Sequence, residues 1–261
     1  MVSVLCELLG MSANTPTDIC FSFSGLVQRG GKTGPHRDGW GIAFYEGRAF
    51  REFKDSQASV KSDIAHFVKK LPIKSHVVIS HIRQANSGKV CLENTHPFSR
   101  ELWGRSWVFA HNGQLKGFKK KPLGFYKPIG STDSEHAFCW ILDQVRSAYP
   151  EPPKNPRLIW KLLHDLCLEV DEYGIFNMLF SDSRFLYVYC SSKLCWITRK
   201  APFGKARLKD SDFVIDFTEH TTSKDVVTVI STEPLTGDEN WETMKKGEML
   251  VFQKGKAVYH K

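Results

Sequence analysis

The sequence predicts an α+β fold, with mostly antiparallel sheets and helices packed outside them. Three observations carry this. Runs rich in Val, Ile, Phe and Tyr outnumber helical patterns. The two kinds come in blocks rather than in strict alternation. No repeat, low-complexity tract or long linker interrupts them. A chain of 261 residues, 41% hydrophobic and 25% charged, has a globular composition and suffices for one large domain or two small ones. The only plausible seam is Glu151-Pro-Pro153, so the chain reads as a single domain.

In chain order, the first expected strand is Cys6–Met11, followed by a helical pattern over Thr17–Gln28. Strands follow at Trp40–Tyr45, His76–Ile82 and Ser106–Ala110, each bounded by Gly, Asp, Asn or Ser, with a helix over Ser62–Lys70 between the first two. Asp133–Ala148 has helical spacing, with Thr132 placed to cap it and Asp133 and Glu135 at its positive end. Asn155–Asp171 is a second helix after the proline pair. Ile175–Phe180 and Phe185–Cys190 read as a hairpin, and Val226–Ile230 and Glu248–Phe252 as further strands.

Bulk properties exclude several classes. No stretch approaches the roughly 18–20 apolar residues of a membrane helix, and the first residues lack a signal-peptide pattern. Seven scattered cysteines suit a reducing compartment, so a cytoplasmic location is expected. The net charge of +8 is dispersed; its densest run is Lys119-Lys-Lys121, with no zinc-finger spacing or aromatic RNA-binding motif. Nucleic acid is therefore not the expected partner, and weak salt-dependent retention on heparin would agree. Cys190 and Cys195 lack a second ligand pair, so no metal site is expected.

Four polar clusters remain. Arg29-Gly-Gly-Lys-Thr-Gly-Pro-His-Arg-Asp-Gly-Trp-Gly41 is a glycine-dense turn or a binding loop. His81-Ile-Arg83 ends an apolar strand, where an arginine either grips a carboxylate or makes a surface ion pair. His111-Asn-Gly113 is either a hairpin turn or a side-chain amide beside a backbone N–H, both able to meet one developing oxyanion. Gly130-Ser-Thr-Asp-Ser-Glu135 places Asp133 at a helix start, where it favours the dipole or holds a cationic amine.

In this order, and together with Cys6-Glu-Leu-Leu-Gly-Met, Asp38-Gly-Trp-Gly and Ser231-Thr-Glu-Pro-Leu-Thr, these motifs resemble the class II glutamine amidotransferases. These are N-terminal-nucleophile (Ntn) hydrolases, and the likeness is greatest to the stand-alone bacterial YafJ-like group. The resemblance implies a four-layer αββα sandwich with two mostly antiparallel sheets, formed by a single domain over residues 6–261. It also implies that Cys6 is the nucleophile and that Asn112 and Gly113 form the oxyanion hole. Arg83 would hold the α-carboxylate and Asp133 the α-ammonium of glutamine. Relatives fused to a synthase carry a Trp-Ala-Thr-His-like run after the arginine. Here it is Gln84-Ala-Asn-Ser, leaving Asn86 as the candidate for the threonine's hydrogen bonds. No cofactor is implied.

That chemistry needs a free α-amine on Cys6, because an amide nitrogen cannot accept the thiol proton. Residues 1–5 are therefore expected to be a short propeptide, or to precede a true start at position 5. The expected activity is attack on the glutamine side-chain amide through a thioester, with ammonia passed to an acceptor or a synthase partner. Hydrolysis of γ-glutamyl amides or peptides, and glutamine binding without turnover, stay open as alternatives. The basic segment Leu115–Lys127 is either an exposed loop or a lid over the substrate.

Overall fold

A computed structural model describes residues 6–85 and 88–261. The first part of the chain forms β1 (Glu7–Asp18), α1 (Cys20–Arg29), β2 (Trp40–Glu46), β3 (Ala49–Asp55), α2 (Asp63–Val68) and β4 (Lys74–Ile82). The middle forms β5 (Phe98–Leu102), β6 (Arg105–Leu115), α3 (Asp133–Ala148), α4 (Arg157–Asp171), β7 (Gly174–Ser181) and β8 (Leu186–Cys190). The remainder is mostly strand, with one 3-10 turn at Phe217–Glu219: β9 (Cys195–Lys200), β10 (Lys205–Arg207), β11 (Val214–Asp216), β12 (Val226–Ser231), β13 (Glu242–Thr243), β14 (Glu248–Gln253) and β15 (Lys256–His260).

Two antiparallel sheets dominate. One has the order β13-β9-β12-β1-β4-β2-β3 and the other β15-β14-β8-β7-β6-β5; β10 and β11 make a small ribbon. Alternation along each strand sorts its residues between layers. Leu8, Ala43, Val77 and Ile79 of the first sheet pack against Val108, Ala110, Leu179 and Val188 of the second. The opposite face of the first sheet, with Leu9, Met11 and Ile42, is covered by Phe23, Leu26 and Val27 of α1 and by Ala65 and Val68 of α2. The far face of the second sheet, with Phe109, Phe176 and Phe180, is covered by Phe138, Ile141, Leu163 and Cys167 of α3 and α4. The result is an αββα sandwich, as expected.

The position of β1 explains the apolar run Leu8-Leu-Gly-Met11: the strand is central and its first half is buried on both faces. Gly10 sits where a Cβ would meet Leu179 at 3.2 Å, so the facing sheet comes close at this point. The strand also runs on to Asp18, past Thr15-Pro16, and α1 therefore starts at Cys20 rather than Thr17. Thr132 caps α3 by accepting from Glu135 N at 3.1 Å. Strands β7 and β8 pair as the expected hairpin. Asn112 and Gly113 lie inside β6, which continues to Leu115 opposite β7, and not in a turn at its end.

A buried ion network fixes the start of β1. Arg29, at the end of α1, donates to Glu7 (2.9 Å), Asp210 (2.9 Å) and the carbonyls of Glu233 and Pro234. Burial pushes the Glu7 carboxyl up, and Arg29 is the main opposing influence. Arg29→Ala leaves that carboxyl buried without its partner and is expected to lower stability by about 3–5 kcal/mol, read from denaturant unfolding.

Candidate active site

Cys6 immediately precedes β1. Because β1 pairs with β4 in the register Glu7↔Ile82, Cys6 falls beside the residues that leave β4. Its sulfur accepts from Gln84 N at 3.2 Å and lies 3.4 Å from Gln84 O. Burial pushes the thiol up to about 11, opposed by the Gln84 N–H and by Arg83.

Arg83 is buried, and its backbone is pinned to the Asp38-Gly39 turn by reciprocal bonds, Asp38 N to Arg83 O and Arg83 N to Gly39 O. Its guanidinium donates to the carbonyls of Asp38 (3.3 Å) and Lys89 (3.2 Å). The Asp38 carboxylate accepts from Ala85 N at 2.8 Å, so the Asp38-Gly-Trp-Gly cluster is the support of the arginine loop. Asn86 lies outside the described residues, as do residues 1–5.

Strand β6 sends alternate residues to opposite sides. Asn112 points between the sheets and donates to the Cys6 carbonyl at 2.5 Å and to Thr232 Oγ1 at 3.3 Å. His111 points toward α3, with Nε2 3.0 Å from Ile175 O and Nδ1 2.8 Å from Ser134 Oγ. A carbonyl can only accept, so Nε2 carries the proton and Nδ1 accepts from the serine. That bond joins β6 to the first turn of α3, where Asp133 accepts from Leu115 N (2.7 Å) and Ser134 N (3.0 Å). Gly113 has no room for a side chain, since a Cβ would lie 1.8 Å from Ile175 O.

These elements converge on one cleft lined by Cys6, Arg83, Gln84, His96, Gly113 and Asp133, among others. Asn112 sits behind it, against Cys6. Five of the six residues singled out from the sequence are thus brought together, and the sixth is Asn86.

Other contributors carried weaker signals. Thr232 accepts from Leu8 N (2.9 Å) and faces the Asn112 amide, so it links β1 to β6 from the end of β12. Asn177 is the cross-strand partner of Asn112. It donates to Asn112 O and accepts from the N–H groups of Ser191, Ser192 and Lys193. A lone Asn inside the apolar run Ile175-Phe-Asn-Met-Leu-Phe180 was its only trace in the sequence.

A sequence profile of the class-II glutamine amidotransferases matches residues 5–261. YafJ of Escherichia coli (strain K12) is 58% identical over 97% of this chain and 100% of its own length. A crystal structure of a predicted glutamine amidotransferase from Pseudomonas aeruginosa PA01 superposes with a TM-score of 0.79 at 57% identity, covering 97% of this chain and 100% of the other. The glutamine phosphoribosylpyrophosphate amidotransferase of B. subtilis shares the fold, with a TM-score of 0.62 at 14% identity over 98% of this chain and 49% of its own. The chain belongs to the class II glutamine amidotransferases, a family of enzymes that use glutamine. Among the described residues, no helix is long and apolar enough to cross a membrane.

Proposed function

We propose that residues 6–261 act as one domain that hydrolyses the side-chain amide of glutamine through a Cys6 thioester and passes the ammonia to an acceptor. The convergence of Cys6, Asn112, Gly113, Arg83 and Asp133 on one cleft is the observation that carries this reading. A free amino acid presents a carboxylate and an ammonium, which one arginine and one aspartate can select together. With those ends held, the amide is left toward the thiol. The α-amine of a processed Cys6 takes the thiol proton, and the sulfur attacks the amide carbon. Asn112 Nδ2 and Gly113 N–H then meet the oxyanion. The longer bond of Asn112, at 3.3 Å to Thr232, is the one it gives up to do so. The α-ammonium returns its proton to the departing nitrogen, which leaves as ammonia, and water resolves the thioester to glutamate.

Ammonia release by protein starting at Cys6 tests the reading, measured against glutamine, γ-glutamyl amines and γ-glutamyl peptides. Glutamine as the best substrate supports it. A preference for the conjugates assigns the same thioester chemistry to a γ-glutamyl amide hydrolase. In the same assay Arg83→Met removes a charged hydrogen bond worth about 1.5–3 kcal/mol and is expected to raise KM for glutamine by roughly ten- to a hundredfold, with a smaller effect on kcat.

A further inference from the structure

Buried polar atoms without partners are uncommon, and where they gather a small polar molecule usually meets them. Among the described residues, four buried side-chain nitrogen and oxygen atoms without a hydrogen-bond partner belong to His96 and Gln84, which line this cleft, and to Asn112 behind it. These four are both ring nitrogens of His96, Gln84 Oε1 and Asn112 Oδ1; the neighbouring His81 ring has the His111 backbone as one partner.

The two histidines form a unit. Their ring centroids are 4.2 Å apart, His81 is fully buried and His96 is 4% exposed. His81 lies on β4 directly opposite Leu8, two residues from the nucleophile, and His96 lines the cleft with Cys6. Phe98, at 4.3 Å, and Phe109, at 6.5 Å, also neighbour the His96 ring. Burial holds both imidazoles well below their usual range, so both are neutral at working pH. Each neutral ring carries one donor and one acceptor nitrogen, and His81, whose donor meets the His111 backbone, keeps its acceptor. The two rings together suit a small neutral molecule that both donates and accepts hydrogen bonds. Water and ammonia share that chemistry.

We propose that the His81–His96 pair holds the water that hydrolyses the Cys6 thioester. This rests on the proposed function and adds where its second reactant waits. The oxygen of the held water bonds to the thioester carbonyl carbon, and the carbon–sulfur bond breaks with its electron pair returning to Sγ. One water proton passes through the Cys6 α-amine to the sulfur, and the other leaves from the new glutamate carboxyl group. The imidazoles position the water and exchange no net proton.

The test uses the full domain with Cys6 at its N-terminus and the variant His96→Phe, whose ring is of similar size and has apolar neighbours. Rapid mixing with glutamine separates an ammonia burst, which reports thioester formation, from steady-state turnover, which includes its hydrolysis. The expected result is a burst of one ammonia per chain at a rate within about threefold of the parent, with steady-state turnover at least tenfold slower. The thioester should accumulate by intact mass, and hydroxylamine should restore turnover as γ-glutamyl hydroxamate. Unchanged steady-state turnover would overturn the proposal. So would a burst slowed as much as turnover, which would place the departing ammonia at the histidines instead. Absence of any thioester in the unmutated protein would remove the proposed function itself, and this proposal with it. Should the variant not fold, histidine-labelled unmutated protein decides by NMR. Cross-relaxation between a resident water and a ring N–H of either histidine is expected, and its absence rejects the water site.

Discussion

A chain beginning at Cys6 is expected to release ammonia from glutamine, and the same chain retaining residues 1–5 is expected to be slower by at least a hundredfold. The cause is the fate of one proton. With the thiol pushed up to about 11, only on the order of one in ten thousand would be ionised at pH 7. A base must therefore act during the attack. The α-amine of an N-terminal cysteine, with an ordinary value of about 7.7–8.0, is partly neutral and within the same residue. When Leu5 is attached, that nitrogen is an amide with its lone pair delocalised. General-base assistance contributes roughly 10²–10⁴-fold, which sets the scale of the loss. Paired preparations of confirmed intact mass, assayed for ammonia, provide the check. The base works only when unprotonated, so activity of the processed chain should rise with pH through about 8. Equal rates from the two preparations would show that the α-amine is not the base.

Asn112→Ala should reduce kcat by a hundredfold or more and leave KM for glutamine nearly unchanged. Losing one oxyanion donor costs about 3 kcal/mol of transition-state stabilisation. The ground-state contacts proposed for glutamine come from Arg83 and Asp133, which the substitution does not touch. Because Asn112 also donates to the Cys6 carbonyl and faces Thr232, some stability is lost too. Thermal unfolding measured beside the kinetics separates the two effects. An unchanged kcat would take Asn112 out of the reaction.

The parts of this fold that were legible in the sequence are those where burial wrote a strong local pattern. Strands β7 and β8 are apolar almost throughout, β1 and β4 carry the apolar runs Leu8-Leu-Gly-Met11 and Val77-Val-Ile79, and α3 carries both a cap and an amphipathic repeat. Strand β3, Ala49-Phe-Arg-Glu-Phe-Lys-Asp55, was illegible because it is an edge strand with most residues only partly buried. The same holds for β15. Asn112-Gly113 shows a local signal overridden by tertiary context. The dipeptide favours a turn, yet β7 pairs with it on both sides and the missing Cβ lets the Ile175 carbonyl approach. The cleft's individual motifs could be read, but their supports could not. Thr232 is 224 residues from Leu8, and Asn177 is 65 from Asn112, distances at which spacing carries no information.

That 224-residue span also sets a time. The strand that follows the proposed nucleophile is flanked by β4 and β12, and its Leu8 amide is held by a hydroxyl 224 residues further along the chain. A ribosome must deliver at least those 224 residues before the thiol, the amide and their hydroxyl clasp can assemble. β1 can pair with β4 early in synthesis, but its other edge stays open until β12 has emerged, so the proposed site is completed late.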